Sequence, residues 1–509
     1  MTSPVSLLPP CPSPPLIWTL AGGDPDGGAG LQADLKTIQA LGGHGAGTLT
    51  THIAQNTRAV RRLWPVAPEI LGTELDALLE EGPPDAVKVG AVPGRAQADV
   101  IARVLGRLSE VPVIWDPVQG ASSGEAFRSD SEAADIARSL QPVVSVITPN
   151  LTEARALCRA FGLSPDGGPM DLACALRDAG FASVLVKGGH AAEEGHAVHD
   201  AWAAPDRTGF LSLPRLPAAD VHGTGCFLST ALAALLGRGV APEDAQVAAR
   251  AALQQNLRGA AMIASGVRPM LPFASFAPDP DDWPLWSDAP WPASGFPAFP
   301  RMDLDRPGVH PIVDRASEVA RLAPHGLRWI QIRIKDPSGT DLDAEIAAAL
   351  TACRTHGVRL IVNDHWEAAL RHPGVWGVHL GQDDLAPDAI VAIAAAGLRL
   401  GLSTHSWFEI ARARTVRPSY IAIGTIHQTT SKVMTWTPLG VDGFARLRHT
   451  VPDIPVVGIG RLTLENAPPL LAHRPAGLAV ISALRDSPHP ERDIPAWNRL
   501  WADPEPGTR

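Results

Sequence analysis

Asp220-Val-His-Gly-Thr-Gly-Cys226 runs directly into the apolar stretch 227–236, and that junction decides how the first half of the chain is read. Small, turn-permissive residues before an apolar run predict a strand-to-helix turn. There the first backbone N–H groups and the positive helix end converge on one point. An anionic group such as a phosphate suits that point. Cys226 falls in the first helical turn, where the dipole can draw a thiol from a pKa of about 8.5 into a range of roughly 3.5–7.5. A thiolate so placed can take a proton from an alcohol, with Asp220 as the competing base. A packed, inert cysteine on a glycine-rich turn is the plainer alternative, because short glycine motifs recur by accident.

Upstream of the turn, short apolar runs at 86–89, 113–115, 143–147 and 184–186 alternate with Ala/Leu-rich helical stretches. That alternation predicts an α/β domain with a mostly parallel sheet covered by helices on both faces. Ligand sites in such sheets lie beyond the carboxyl ends of the strands. Asp116-Pro117, Thr148-Pro149-Asn150 and Lys187-Gly188-Gly189-His190 each follow one of the runs.

The chain has 509 residues, too many for one core, so two or three domains are expected. A formal charge of −10 and the absence of Lys/Arg clusters argue against nucleic acid and favour small ligands. Cys11, Cys158, Cys174, Cys226 and Cys353 are scattered and never form C-x-x-C, which suits a reducing compartment and excludes the usual zinc spacings. Residues 1–20 lack an early positive charge and are broken by Pro9 and Pro10, so no signal peptide is expected. Nowhere do about 18 apolar residues run together, so no membrane span is expected and a cytoplasmic protein is.

From 271 to 300 the periodic pattern stops and eight prolines appear among Trp283, Trp286 and Trp291. This reads as a Pro/Trp-rich interdomain linker over 271–305, between domains at 15–270 and 306–505. After it, eight candidate strands centre on 309–313, 329–333, 359–362, 377–379, 399–401, 420–423, 456–459 and 477–480. Eight strand–helix units in about 200 residues predict a (β/α)8 TIM barrel.

In the first domain, glycines at 22, 23, 27, 28 and 30 let backbone approach a ligand closely, and Asp34 can reach back from the following helix. In order come Gly22-Gly23-Asp24-Pro25-x-Gly27-Gly28-Ala29-Gly30-x-Gln32-Ala33-Asp34, Ala54-Gln55-Asn56-Thr57, Asp116-Pro117-Val118, Thr148-Pro149-Asn150-x-x-Glu153-Ala154, Lys187-Gly188-Gly189-His190 and Gly223-Thr224-Gly225-Cys226. The series resembles the hydroxymethylpyrimidine/phosphomethylpyrimidine kinases of thiamine biosynthesis, members of the ribokinase-like superfamily. The resemblance implies a layered α/β/α fold and ATP as co-substrate. Gly22, Asp34 and Gln55 would line the pyrimidine pocket, a carboxylate and an amide matching an aminopyrimidine. Lys187 would neutralise nucleotide phosphate, Gly223, Thr224 and Gly225 would hold the transferring phosphoryl, and Cys226 would be the base. One departure is Ala91 after Lys88-Val-Gly90, where the family usually has methionine.

In the second domain Gln331, Arg333 and Lys335 alternate along one strand end and present two cations and an amide to one side. Asp364 and Asp384 end later strand units and could hold Mg²⁺, although each alone would more often cap a helix. With Asn363, Ser403-Thr404-His405, Thr429-Thr-Ser431-Lys432, Glu465-Asn466-Ala467 and Ile481-Ser482, the set resembles thiamine-phosphate synthase. The resemblance implies that Gln331, Arg333, Lys335, Asn363, Ser403 and Lys432 hold a pyrimidine diphosphate, with Mg²⁺ on Asp364 and Asp384. Thr429, Ser431, Gly460, Ile481 and Ser482 would face a thiazole phosphate. Ile459-Gly460-Arg461-Leu462 departs from the usual Ile-Gly-Gly-Ile, and 425–428 is atypical.

The expected protein is a bifunctional enzyme whose kinase product feeds the synthase. The alternative is a pyrimidine kinase fused to a catalytically weak, precursor-binding or regulatory barrel, motivated by Arg461. A kinase for a related vitamin alcohol such as pyridoxal is a third reading. Likeness to ribokinase relatives implies a homodimer.

Overall fold

The computed structural model describes residues 6–56, 59–118, 129–189, 196–216, 221–260, 268–269, 275–290, 298–304, 307–336, 338–428 and 437–501. The chain forms two compact units, 1–295 and 296–509.

The strands of the first unit are β1 (Leu16–Gly23), β2 (His44–Asn56), β3 (Ala59–Pro65), β4 (Ala86–Val89), β5 (Val113–Trp115), β6 (Val146–Ile147), β7 (Val184–Val186), β8 (Ala197–Ala204), β9 (Arg207–Pro214), β10 (Val221–His222), β11 (Arg268–Pro269) and β12 (Leu285–Ser287). Among the described residues ten of them form one sheet in the order β12-β9-β8-β7-β6-β5-β4-β1-β2-β3, and β10 pairs with β11 apart from it. Its centre, β2-β1-β4-β5-β6-β7, is parallel throughout. The flanking β3, β8, β9 and β12 are antiparallel. β4, β5 and β7 are buried at every residue, as strands covered on both faces must be. Trp18, Leu20, Val87 and Ile147 of the sheet pack with Ile101, Leu157 and Leu176 of the helices in one core.

The expected linker is partly built into this unit. β12 pairs with β9 at the sheet edge, and Trp283 and Trp286 are 3% and 2% exposed. Trp286 meets Trp202 edge-on at 5.4 Å, and Arg258 pairs with Asp282 at 2.7 Å. Prolines forbid a central strand, but an edge strand of three residues fits between Pro284 and Pro290. Indole burial supplies the packing that the interrupted ladder cannot.

The second unit contains β13 (Gly308–Val313), β14 (Trp329–Ile332), β15 (Arg359–Asn363), β16 (Gly377–Leu380), β17 (Arg399–Thr404), β18 (Tyr420–Ile423), β19 (Val456–Ile459) and β20 (Gly477–Val480). They close in sequence order into a barrel, and β13 pairs in parallel with β20. Ile312, Trp329, Ile361, Tyr420, Val457 and Ala479 pack together, with Trp329 edge-on to Tyr420 at 5.4 Å. Both halves of the expected architecture are present: the layered α/β unit and the TIM barrel. Among the described residues no helix is long and apolar enough to cross a membrane.

Candidate active sites

In the first unit the polar clusters gather at the carboxyl ends of the parallel strands. Helix Thr224–Gly237 starts at Gly223, whose φ of 89° lies in the left-handed region open to glycine. A Cβ there would stand 1.9 Å from the Gly28 carbonyl oxygen, so the two glycine-rich loops are in direct contact. The first-turn N–H groups of Thr224, Gly225 and Cys226 lie where an α-helix leaves donors without intrahelical acceptors.

Lys187 reaches across this turn, its Nζ 3.1 Å from where a Cβ on Gly225 would stand. Nζ is 2.8 Å from Asp116 Oδ1 and 4.0 Å from Glu153 Oε2, and Thr148 Oγ1 donates to Asp116 at 3.4 Å. Burial works to discharge Lys187, but the charges of Asp116 and Glu153 outweigh it and hold the ammonium above its usual range. Asp116 and Glu153 belong at the centre of this site. Their signal was available in Asp116-Pro117 and Asn150-x-x-Glu153, read as motif but not as function.

Asp24 organises the first glycine loop: its carboxylate accepts from Gly28 N at 3.2 Å and Ala29 N at 2.8 Å. His222 Nε2 stands 3.5 Å from the same oxygen, linking this loop to the strand before the phosphate-type turn. Burial raises the Asp24 pKa, yet hydrogen bonds from His222 and Gln55 bring it below its ordinary value. Gln55, half-buried at the end of β2, therefore faces Asp24 in this structure, and Gly22 closes β1 beside Gly30.

Two expectations are corrected. Asp34 is 0% exposed and lies in the core rather than a pocket wall. Its carboxylate accepts from Thr19 Oγ1 at 2.6 Å, Thr230 Oγ1 at 2.7 Å and Lys88 Nζ at 2.7 Å, so both oxygens are engaged. Cys226, expected to carry a lowered pKa, is instead pushed up to about 11. Burial is the main cause, helped by the negative charges of Asp34 and Asp116, while the Lys88 cation and the Gly30 N–H work against them. The resting sulfur is a thiol. Asp220 and His190 lie outside the described residues.

A cavity of about 990 Å³ in this unit is lined by Leu31, Thr48, His52, Ile70 and Glu74 and by none of these site residues. Size does not mark the chemistry here.

In the barrel, Arg333 and Lys335 line a cavity of about 280 Å³ at the strand ends with Asp314, Arg315, Ile481 and Arg485. Arg315 and Arg485 were not expected there; nothing in their local sequence separates them from surface arginines. Gln331 and Asn363 sit one layer deeper, 2% and 5% exposed, with Gln331 Nε2 donating to Asn363 Oδ1 at 2.6 Å. Ser403 Oγ is 2.9 Å from His379 Nε2, whose Nδ1 is 2.9 Å from the Tyr420 hydroxyl. Burial pushes His379 down to about 3, so this link is neutral.

Asp364 has a φ of 62°, a left-handed conformation that aspartate tolerates better than most residues. It does not cap the next helix, whose N-cap is His365, and Asp384 does not cap the one after, whose N-cap is Ala386. Burial pushes the Asp364 carboxyl up, and the charge of Asp384 adds to the shift, partly countered by Arg333. Two carboxylates repelling one another at the strand ends, with the Arg333 cation beside Asp364, are a donor set that fits Mg²⁺ completed by phosphate oxygens. Among the described residues no group of three or more His, Cys, Asp or Glu forms an all-protein metal cage.

Gly460 (φ 129°) has no room for a side chain, since a Cβ would stand 2.4 Å from Ile426 N. Arg461 after it has a φ of 47°, so arginine adopts the turn that a glycine would favour, with its side chain exposed. Ser482 begins a one-turn helix beside Ile481. Thr429, Ser431 and Lys432 lie outside the described residues.

A family model for phosphomethylpyrimidine kinase matches residues 24–271, and one for thiamine monophosphate synthase matches 309–484. The chloroplastic thiamine biosynthetic bifunctional enzyme of Arabidopsis thaliana is 30% identical over 491 residues, covering 93% of this chain and 90% of that protein. The thiamine-phosphate synthase of Yersinia pestis (strain Pestoides F) is 41% identical over 188 residues, 37% of this chain and 86% of that protein. Among solved structures, phosphomethylpyrimidine kinase from Clostridium difficile is 28% identical, covering 46% of this chain and 95% of that one at a TM-score of 0.40. The match runs over nearly the full length of a bifunctional relative, and the chain belongs to the bifunctional thiamine biosynthetic enzymes, with a phosphomethylpyrimidine kinase domain followed by a thiamine-phosphate synthase barrel.

Proposed function

We propose that the first unit phosphorylates 4-amino-5-hydroxymethyl-2-methylpyrimidine and then its monophosphate with ATP, and that the barrel joins the diphosphate to 4-methyl-5-(2-phosphoethyl)thiazole. The observation that carries this reading is the pairing, in one chain, of Lys187 over the Gly223–Cys226 turn with Arg333 beside the Asp364/Asp384 pair. The first site is suited to making a diphosphate and the second to expelling one.

In the kinase step the substrate oxygen attacks the γ-phosphorus, the bond from that phosphorus to the bridging oxygen breaks, and ADP departs. The transition state is loose, so positioning and charge stabilisation matter more than early proton removal. Lys187 and the N–H groups of the turn hold the phosphoryl oxygens. Cys226, a thiol at rest, receives the substrate proton only through its minor thiolate form.

In the synthase step the bond between the pyrimidine methylene carbon and the diphosphate oxygen breaks with both electrons leaving on pyrophosphate. The thiazole nitrogen lone pair then forms the new C–N bond. Gln331, Arg333, Lys335, Asn363, Ser403 and Lys432 hold the diphosphate, and Asp364 and Asp384 would hold Mg²⁺. When bound, that ion neutralises charge on the departing pyrophosphate. Thr429, Ser431, Gly460, Ile481 and Ser482 would orient the thiazole phosphate.

A regulatory barrel is the weaker reading, because Arg461 keeps a glycine-like backbone and leaves the turn intact. The test is to incubate the full chain with the pyrimidine alcohol, ATP, Mg²⁺ and thiazole phosphate and follow products by mass. Thiamine phosphate is expected; accumulation of the pyrimidine diphosphate alone would reduce the barrel to a binding domain. Five free cysteines support a reducing compartment such as the cytoplasm. Homodimerisation rests on likeness alone, and a monomer by light scattering at working concentration would refute it.

A further inference from the structure

The backbone that carries Lys187 is anchored from behind by a buried ion pair that lies outside the site described above. Lys187 follows β7, and its own N–H donates to Pro149 O at 2.8 Å. On its other side the Gly188 N–H donates to Asp200 Oδ1 at 2.7 Å. Peptide planes are rigid, so holding the one before and the one after a residue fixes its φ and ψ, and with them the direction of its Cα–Cβ bond. Lys187 therefore leaves the backbone in one direction, toward Asp116 and the turn that starts at Gly223. Residue 188 has to be glycine: a Cβ there would stand 2.0 Å from the His199 carbonyl oxygen, so the loop lies directly on β8.

Asp200 sits on β8 and is buried, and its second oxygen accepts from Arg250 Nε at 2.8 Å. Arg250 is equally buried, on the helix Pro242–Gly259. Its Nη1 donates to Gln254 Oε1 at 3.2 Å and Gln254 Nε2 donates to Pro214 O at 3.0 Å, so the guanidinium is itself held in place. A buried ion pair seldom adds net stability over an apolar pair of the same shape. What this one supplies is direction. Arg250 claims one carboxylate oxygen and leaves the other facing Gly188, where its charge makes it a stronger acceptor than a neutral amide.

We propose that Asp200, with Arg250 behind it, is a positioning residue for the kinase reaction: by fixing the Gly188 N–H it aims Lys187 over the Gly223–Cys226 turn. This rests on reading Lys187 as the group that holds the transferring phosphoryl. A displacement of the order of 1 Å in such a group, caused from a distance, can slow a reaction about a hundredfold.

The test uses the full chain with the pyrimidine alcohol, ATP and Mg²⁺, and follows kinase turnover by mass together with the melting of each variant. Asp200→Asn keeps the shape but has one oxygen, which the Arg250 cation claims, so the Gly188 N–H loses its acceptor and kcat should fall about tenfold or more. Asp200→Asn/Arg250→Gln leaves an amide free to turn its oxygen back to Gly188, and should return to within about threefold of wild type. Asp200→Leu/Arg250→Met, which holds no buried charge and should melt near wild type, should lose as much turnover as Asp200→Asn. In a Lys187→Ala background the same changes should cost no more than about twofold, because they act through Lys187. Wild-type kcat in Asp200→Asn and in the apolar pair, or the full loss repeated in the Lys187→Ala background, would overturn the proposal and leave the role of Lys187 standing. If Lys187→Ala itself turns over like wild type, the reading of Lys187 falls and the proposal with it.

Discussion

Lys88 Nζ stands 2.7 Å from Asp34 Oδ2 with neither side chain exposed to solvent. Asp34 also accepts from Thr19 on β1 and from Thr230, four residues beyond Cys226 on the helix that follows the turn. One carboxylate thus ties two strands and two helices beneath the kinase site. Burial works to discharge Lys88, but Asp34 outweighs it and keeps the ammonium above its usual range. Asp34→Asn leaves that cation unpaired and should destabilise the first unit by about 3–5 kcal/mol. Adding Lys88→Met should recover much of the loss. Hydrogen exchange across residues 16–260 would read this without interference from the barrel. A variant that loses kinase activity at full stability would return Asp34 to the pocket.

Gly223→Ala should abolish the kinase reaction and spare the synthase. The new methyl would collide with the Gly28 carbonyl at 1.9 Å, in a φ of 89° that alanine disfavours. Relief requires the two glycine loops to separate, which moves the N–H groups that hold phosphate. The two reactions assayed on the same preparation give the answer: equal losses in both would point to general unfolding instead.

Cys226 should behave as an unactivated thiol. Its pKa is pushed up to about 11, so the thiolate fraction at neutral pH is small. Alkylation of Cys226 by iodoacetamide, followed by peptide mass, should speed up about tenfold per pH unit between pH 7 and 10. The linkage has one sign. A raised folded pKa means that the native state keeps its proton longer than the unfolded chain does. The contribution is full below the unfolded thiol pKa and is lost as pH rises toward 11. Fast alkylation at pH 6 would show an activated thiolate.

The barrel strands were legible because each is a short, largely apolar run, several with a polar residue at the carboxyl end, and order along the chain is order around the barrel. The polar interior was not legible in the same way. His310 and His379 carry no motif of their own in the sequence, and only closure brings them beside Gln331 and Ser403. Asp34 was misread for a related reason: its partner Lys88 is 54 residues away, and local sequence shows a carboxylate without showing the cation that buries it. Trp283 and Trp286 hid an edge strand because proline density was allowed to outweigh the packing of two indoles.

Asp364→Asn should separate charge from backbone. Asparagine tolerates the φ of 62°, so the turn survives, while one of two repelling carboxylates is gone. Thermal stability without metal should hold or rise, and the Mg²⁺ concentration needed for half-maximal synthase activity should rise at least tenfold. Asp364→Ala should show the same metal defect with lower stability. Unchanged Mg²⁺ dependence in both would remove Asp364 from the cation site.

Arg461→Gly tests whether the departure at this turn is tolerated or used. Arginine at a φ of 47° bears a left-handed penalty of about 1–2 kcal/mol, of which glycine gives back part through its own loss of chain entropy. A net gain of up to about 1 kcal/mol is expected. The backbone N–H groups of the turn keep their places in either residue, so kcat should change little. The KM for thiazole phosphate decides the side chain's role. Because the side chain is exposed, its charge is screened and should contribute at most a few-fold. A tenfold or larger rise in KM in the glycine variant, reversed by Arg461→Lys, would mean that the guanidinium has taken over part of the phosphate binding.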